Sequence, residues 1–285
     1  MSQEQWTVMK ILKWSSDDLG KRGIEKPRLD AEILLSDTLG LSRLELYTNF
    51  DKPMTPAERE SFKNKLKRRR DREPIAYILG HKEFYSLDFA VKPAVLVPRP
   101  ETELLVDRVL KETGKEGTAT IVDVGTGSGC IAVAIAKNST NTVYASDVSR
   151  EALNLAQQNA RENETEITFA HGSLLEPFTE GLIFDGIVSN PPYIKSAVMA
   201  ELEPELAFEP TGALDGGQDG LDIIRPLVKE AKSRLVNGGF LLFEIGHDQG
   251  ETASQVLSDE GYTDIEILKD LAGLDRALFA RRRAF

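Results

Sequence analysis

The segment Asn190-Pro191-Pro192-Tyr193 places an amide, two prolines and a phenol directly after an apolar run. Neither proline offers a backbone N–H, so the carbonyl oxygens of this segment are left as hydrogen-bond acceptors. A planar –NH2 group has two hydrogens, and the Asn190 side-chain oxygen and the Pro191 carbonyl can accept one each. Tyr193 can then cover the flat group. The segment therefore predicts a site that binds a planar amino nitrogen and directs its face at an electrophile.

This arrangement would also select its substrate. Buried acceptors that lack their hydrogens are costly, so an analogue without the –NH2 group would be rejected by a factor on the order of 10⁴. Proline can end a strand for structural reasons alone, but that does not explain the flanking amide and ring. Exocyclic amines of nucleobases and carboxamides of glutamine or asparagine both fit, and the segment does not decide between them.

A glycine-rich loop precedes the helix-like sequence CIAVAIAK. Its residues are Gly125, Thr126, Gly127, Ser128 and Gly129. Glycines let the backbone turn sharply and let a ligand lie against bare main chain at a helix N-terminus. A dinucleotide fingerprint would have a third glycine at its sixth position, where this chain has Cys130. The spacing G-x-G-x-G instead resembles the cofactor loop of S-adenosylmethionine-dependent methyltransferases.

The next apolar segment, TVYASD, ends in Asp147. A carboxylate at the tip of a second strand can accept both hydroxyls of a ribose. Asp147 could instead cap the following helix, but Ser149 can do so equally well. We therefore predict that Asp147 binds the ribose of a nucleoside cofactor.

A third segment of this series ends in His171-Gly172-Ser173-Leu174. In many S-adenosylmethionine-dependent methyltransferases, an acidic side chain at this point accepts a hydrogen bond from the adenine amino group. Ser173 takes its place here, so we assign Ser173 and Leu174 to the adenine end of the cofactor site. His171 is interpreted as a surface or loop histidine, not a catalytic one.

Strands alternate with helices from about residue 103, which predicts a mostly parallel sheet covered by helices on both faces. The predicted strands are 119–124, 142–147, 166–170, 184–189, 239–246, 264–268 and 276–281. Too few residues separate the last two for a crossover helix, so we expect an antiparallel pair at the sheet edge. Asn190 would then lie at the carboxyl edge of the sheet, where such folds bind ligands.

The chain before this sheet divides into two predicted regions. Residues 1–74 show apolar residues at helical spacing and form a small all-helical domain. Residues 75–102 have alternating aromatic and apolar residues, which indicates a linker with a short β-hairpin. The remaining domain is then 103–285.

The clearest N-terminal helix begins at Thr55, which can cap it, with Pro56 at the first helical position and Glu58 completing a capping box. It should run to about Asp71. The helix carries KNKLKRRRDR (63–72), the most basic stretch of the chain. We interpret it as a solvated helix face, and a docking patch for an acidic or RNA-containing partner is the alternative.

Composition limits the functional classes. No apolar run approaches the roughly 18 residues that a membrane helix needs. The single cysteine cannot form an internal disulfide, which fits a cytoplasmic protein. The net charge of −11 argues against a surface built mainly to bind phosphate backbones. The charge is uneven, because residues 1–100 carry 19 basic and 15 acidic side chains whereas the rest carries 16 and 31.

Seven segments together resemble the bacterial peptide chain release factor glutamine methyltransferases over nearly the full length: LDAEILLSDTLG (29–40), EPIAYILG (73–80), VLVPRPETE (95–103), VDVGTGSGCIA (122–132), VSNPPYI (188–194), EPTGALDGGQDGLD (209–222) and FEIG (243–246). The resemblance implies an α/β fold, namely a Rossmann-like class I methyltransferase with a seven-stranded mixed sheet and a C-terminal antiparallel hairpin. It also implies methyl transfer from S-adenosylmethionine to the side-chain amide nitrogen of the glutamine in the Gly-Gly-Gln tripeptide of class 1 release factors, in support of translation termination.

The resemblance also implies roles for residues. The loop Gly125 to Gly129 and Asp147 would hold the cofactor, and Asn190 would lie close to its methionine end. Asn190 and Pro191 would be the catalytic acceptors, and Pro192 and Tyr193 would complete the glutamine site. The N-terminal helices would grip the release factor.

The chain itself contains Gly216-Gly217-Gln218, the tripeptide that this family modifies. Turn-forming residues flank it, so we interpret it as a structural loop and do not expect self-methylation.

Two other functions fit parts of the sequence. A nucleic-acid amino-methyltransferase would share the fold and the Asn-Pro-Pro-Tyr segment, but it should have a basic substrate face or a base-flipping domain. A non-catalytic module that binds the ribosome or a release factor would have no use for a cofactor loop. We expect no stable nucleic-acid or membrane partner, no metal, and a monomer.

Overall fold

The structure is a computed structural model, and it describes residues 5–284. The chain divides into two compact units. The helical unit comprises the chain through Gly80 together with Glu203–Phe208. The sheet unit comprises His81–Leu202 and the chain from Glu209 onward. The two units are separated by the density of contacts between residues, which does not test the predicted domain boundaries at residues 74 and 102. Those boundaries stay a prediction.

Within the residues that the structure describes, the helical unit contains five α-helices: α1 (Val8–Lys21), α2 (Pro27–Leu39), α3 (Arg43–Thr48), α4 (Pro56–Arg70) and α5 (Ile75–Leu79). Leucines on α1 and α2, among them Leu12 and Leu34, form its buried core with Phe62 of α4. The capping box that starts α4 is confirmed, since the Thr55 side chain and Glu58 exchange hydrogen bonds with each other's backbone.

The basic stretch of α4 forms ion pairs inside the helical unit. Arg69 contacts both Asp30 (2.7 Å) and Glu205 (2.8 Å), and only 7% of this arginine is exposed. Arg70 pairs with Asp18 at 2.6 Å. The interpretation of 63–72 as a solvated face is therefore wrong for Arg69, because its side chain is buried between two carboxylates.

The sheet unit begins with a hairpin of β1 (His81–Phe84) and β2 (Leu87–Ala90). Its other strands are β3 (Thr120–Val124), β4 (Thr142–Asp147), β5 (Ile167–His171), β6 (Phe184–Ser189), β7 (Leu235–Glu244), β8 (Thr263–Lys269) and β9 (Asp275–Arg281). Its helices are α6 (Glu103–Thr113), α7 (Cys130–Asn138), α8 (Arg150–Glu162), α9 (Ile224–Arg234) and α10 (Gly250–Asp259). A 3-10 helix, Pro100–Thr102, leads directly into α6.

Strands β3 to β9 form one seven-stranded sheet in the order β5-β4-β3-β6-β7-β9-β8. The pairs from β5 to β7 are parallel, and β9 is antiparallel to both β7 and β8. The mixed sheet and its C-terminal hairpin at the edge are thus confirmed. Because the order reverses at β3, the carboxyl ends of β3 and β6 meet at a switch point, where such sheets bind ligands.

Helices cover both faces of this sheet. Ile121 and its neighbours on one face pack with α6 and α7, whereas Val122 faces the other way and packs with α9 and α10. This alternation, with both faces covered, explains why nearly all residues of the central strands β3 and β6 are buried. Among the described residues, none of the helices combines the length and apolar character that a membrane crossing requires.

Candidate active site

A cavity of about 440 Å³ opens within the sheet unit, beside the carboxyl ends of β3, β4, β5 and β6. Ten residues predicted from the sequence line it: Gly125, Thr126, Gly127, Ser128, Asp147, Ser173, Leu174, Asn190, Pro191 and Pro192. The predicted residues Gly129 and Tyr193 are not part of the lining. Residues that come from four separate strand ends are therefore brought to one cavity of ligand-binding size.

The glycine loop exposes bare backbone to this cavity. Gly125, Gly127 and Gly129 have φ values of 71°, 55° and 82°, in the left-handed region that favours glycine. A Cβ added to Gly125 or Gly127 would meet nothing within 4 Å, whereas one on Gly129 would come within 3.0 Å of Ala156. The first two glycines thus leave space for a ligand, and Gly129 allows α7 to pack closely against α8.

The Asp147 side chain is held in place by backbone N–H groups of the glycine loop and of the turn before α8. Its two carboxylate oxygens accept hydrogen bonds from the backbone N–H of Gly127 (2.9 Å) and of Ser149 (2.8 Å). Ser149 caps α8 through Ala152, as predicted. Each carboxylate oxygen keeps a further lone pair, so the anchored side chain can still accept hydroxyl groups of a ligand.

Asp123 lies beneath the glycine loop and is fully buried. One of its oxygens accepts from the Thr126 hydroxyl (2.6 Å) and the Ala132 N–H (3.3 Å), and the other has no partner among the described residues. Burial raises the pKa of Asp123 to about 7. A buried acceptor without a partner marks a place where an ordered water is expected.

Asn190 follows directly on β6 and reaches the cavity with its side chain. Its amide nitrogen donates a hydrogen bond to the Thr102 hydroxyl at 3.2 Å. Thr102, which also lines the cavity, donates its own proton to Glu244 at 2.6 Å. The oxygen of the Asn190 amide is thereby left for a ligand.

Glu244 ends β7, next to the point where Asn190 follows β6. Its second oxygen accepts from the Tyr193 hydroxyl at 3.0 Å, so Glu244 holds the aromatic residue of the Asn-Pro-Pro-Tyr segment as well. Burial raises the pKa of Glu244, although the two hydroxyl donors and the positive charge of Arg276 act in the opposite direction. Burial beside this carboxylate raises the pKa of Tyr193 too.

Two family models match this chain, the PrmC N-terminal domain over residues 10–80 and the methyltransferase small domain over residues 100–205. The release factor glutamine methyltransferase of Geobacter sulfurreducens is 44% identical over 98% of both chains. The enzyme of the same name from Rhodopirellula baltica is 42% identical over 96% of this chain and 95% of its own.

The chain belongs to the release factor glutamine methyltransferases. Its fold is that of a wider group of methyltransferases, as shown by the 16S rRNA N2 G1207 methyltransferase of Thermus thermophilus. That structure superposes with a TM-score of 0.53 at 20% identity and covers 71% of this chain and half of its own. S-adenosylmethionine is accordingly the methyl donor of this release factor glutamine methyltransferase.

Thr102 and Glu244 are site residues of this methyltransferase that the motifs had not singled out. Both belong to segments that carried the family resemblance, but no chemistry had been assigned to them. The available signal was an acidic residue at the end of a buried apolar strand, since such residues are almost never fully buried unless they are paired.

Arg99 and Glu209 form a further pair that sequence reasoning missed. Arg99 lines the cavity and contacts Glu209, whose carboxylate also accepts the Val97 N–H at 3.1 Å. Glu209 is 6% exposed, and burial raises its pKa. The pair fastens the segment before α6 to the segment that follows residue 208.

The Gly-Gly-Gln tripeptide of this methyltransferase is part of its own scaffold. A Cβ on Gly216 would come within 2.7 Å of the Tyr193 Cα and 2.8 Å of the Pro192 carbonyl. Gln249 fixes the same segment by donating to the Tyr193 carbonyl at 3.0 Å. The loop therefore supports the Asn-Pro-Pro-Tyr backbone from behind, in keeping with its interpretation as structural.

Proposed function

We propose that this chain methylates the side-chain amide nitrogen of the glutamine in the Gly-Gly-Gln tripeptide of class 1 peptide chain release factors. Family membership supports the reaction and the substrate. The observation that carries the assignment of residues is the position of Asn190 and Pro191 in the cavity lining, together with the glycine loop.

The cofactor fits the loops after β3, β4 and β5. Gly125 and Gly127 leave space against the backbone, and Asp147 offers acceptor lone pairs for ribose hydroxyls. Ser173 and Leu174 line the part of the cavity assigned to adenine. S-adenosylmethionine supplies an electrophilic methyl sulfonium when bound.

The substrate amide is held by acceptors. The Asn190 side-chain oxygen and the Pro191 carbonyl each take one amide hydrogen, and the rigid Pro192 limits the remaining surface. Holding both hydrogens orients the nitrogen face, so positioning is the main catalytic device. The proton leaves after the methyl group has arrived, and no strong base is required of the chain.

The helical unit offers a surface for the release factor. Its exposed large apolar side chains are Met9, Trp14, Leu44, Tyr47 and Phe50. Aromatic residues and methionine are enriched in protein interfaces, which supports binding of a protein over a nucleic acid. We further propose that the chain acts as a monomer in the cytoplasm, without a stable nucleic-acid partner.

Labelled methyl transfer tests this function. Unmethylated class 1 release factor, the same factor with its Gly-Gly-Gln glutamine changed to alanine, RNA and DNA are each incubated with the chain and S-adenosylmethionine. We expect label in the first sample only. Label in nucleic acid but not in the release factor would instead favour methylation of a nucleobase amine.

A further inference from the structure

A buried series of hydrogen bonds connects the amide of Asn190 to Glu244. The Asn190 nitrogen lies 3.2 Å from the Thr102 hydroxyl, which lies 2.6 Å from one oxygen of Glu244. Thr102 and Glu244 are each 2% exposed, so both contacts are largely shielded from bulk water. The two residues come from different parts of the sheet unit, the 3-10 helix before α6 and the end of β7.

The donors and acceptors of this series can be arranged in only one direction. A carboxylate accepts hydrogen bonds and cannot donate them, so the Thr102 hydroxyl must use its single proton toward Glu244. The Thr102 oxygen then has only lone pairs left for Asn190. It must accept from the –NH2 group of that side chain, because two acceptors would repel each other.

The second oxygen of Glu244 also accepts a hydrogen bond. The Tyr193 hydroxyl donates to the second oxygen of Glu244, and the positive charge of Arg276 acts on both groups. Arg276 is itself fixed by Asp270 at 3.0 Å. Both oxygens of Glu244 therefore act as acceptors, and this sets which group donates and which accepts in the hydrogen bonds from Glu244 through Thr102 to Asn190.

An asparagine side chain can rotate by 180° and exchange its oxygen and nitrogen with little change in shape. One orientation presents an acceptor to the cavity, and the other presents a donor. Only the acceptor orientation can bind a hydrogen of the substrate amide. A rotated Asn190 would direct its own –NH2 group at the substrate –NH2 group.

We propose that Thr102 and Glu244 are positioning residues that hold the Asn190 amide with its oxygen toward the substrate. This inference rests on the proposed function, in which that oxygen accepts a hydrogen of the glutamine amide. It adds a source of specificity, because the orientation of the Asn190 amide decides whether the site binds glutamine or its acidic analogue glutamate. A glutamate oxygen would favour the rotated amide.

The variant Thr102→Val tests the proposal, because valine keeps the branched shape but removes the hydroxyl. We expect kcat for release factor methylation to fall by roughly 10- to 100-fold, as expected when a reacting group is poorly positioned. Thr102→Ser restores the hydroxyl and should recover most of the lost turnover. Thermal unfolding of both variants identifies any loss of folded protein.

The decisive readout is discrimination between glutamine and glutamate. A release factor whose tripeptide glutamine is replaced by glutamate serves as a competitive inhibitor, and its affinity is compared with that of the glutamine form. The affinity ratio should fall toward one in Thr102→Val and stay near the wild-type value in Thr102→Ser. A merely structural defect would weaken both forms alike and leave the ratio unchanged.

The outcomes separate this inference from the proposed function. Suppose that the wild-type chain methylates the release factor, but that Thr102→Val has the same kcat or the same glutamine-to-glutamate affinity ratio as the wild type. That result would overturn the positioning role and leave the proposed function standing. Absence of methylation by the wild-type chain would overturn the function and this inference with it. Loss of turnover together with a narrowed ratio supports both.

Discussion

The two walls of the cavity are built in different ways. The proposed cofactor wall is mostly backbone, made from a glycine loop with positive φ values and a carboxylate held by neighbouring N–H groups. The proposed substrate wall combines the Pro191 carbonyl with the side chain of Asn190, which is connected to Glu244 through the Thr102 hydroxyl. A backbone wall is encoded by a short local motif, whereas a side-chain wall depends on partners from distant segments. Substitutions should therefore affect the two walls differently.

The largest effect is expected from Asn190→Ala on the substrate wall. It removes an acceptor of the reacting amide, so kcat should fall by about 10³-fold or more, the upper range for loss of one positioned polar group. Cofactor affinity, measured by calorimetry, should change much less. A matched control is Gln255→Ala on α10, an exposed amide outside the cavity lining. Near-normal turnover by folded Asn190→Ala would contradict the amide clamp.

Asp147→Ala should damage the cofactor wall. The loss of ribose hydrogen bonds and of the Gly127 contact should weaken S-adenosylmethionine binding by roughly 10- to 100-fold, on the basis of about 1.5 kcal/mol for each hydrogen bond to a charged group. Methylation at saturating cofactor should fall far less than in Asn190→Ala. Titration calorimetry gives the affinity, and an unchanged dissociation constant would refute the ribose role.

Gly129→Ala should affect stability before it affects chemistry. Its φ of 82° and the 3.0 Å approach of an added Cβ to Ala156 should lower the free energy of unfolding by at least about 1–2 kcal/mol. Gly127→Ala shares the conformational cost but has open space around its Cβ, so it should be less destabilising and should instead weaken cofactor binding. Urea unfolding of both variants compares them. Equal destabilisation would show that the two glycines do not differ in role.

A separate effect on stability concerns pH. Asp123 has its pKa raised from 3.8 to about 7 in the folded chain, so the folded state binds its proton more tightly than the unfolded state. The contribution of this group to stability should therefore decline as pH rises from about 4 to 7. Asp123→Asn cannot titrate and should show a smaller decline in melting temperature over this range. Identical pH profiles of the two proteins would contradict the raised pKa.

The sequence predicted most of the sheet because its signals are local. The apolar runs located all seven strands to within a few residues, and β7 differed most by beginning at Leu235 instead of 239. The capping box at Thr55 fixed the start of α4. The loops after β3, β4 and β6 were assigned correctly to one sheet edge because parallel strands end on the same side.

Contacts over long sequence separations were beyond such reasoning. Thr102 lies 88 residues from Asn190 and 142 residues from Glu244, and no periodicity links them. The misjudged basic stretch has the same cause, since Arg69 pairs with Glu205, which lies 136 positions later in the sequence. A run of basic residues on one helix looks like a solvent-exposed face in the sequence, because the acidic side chains that pair with it are identified only in the folded structure.

Tandem mass spectrometry of a methylated release factor tests the central claim most directly. Purified unmethylated class 1 factor is incubated with the wild-type chain and S-adenosylmethionine, and the modified peptide is fragmented to locate the added methyl. We predict one methyl on the side-chain nitrogen of the Gly-Gly-Gln glutamine, and none with folded Asn190→Ala. A methyl on another residue, or an unmodified factor after incubation with cofactor-bound wild-type protein, would contradict the proposed function.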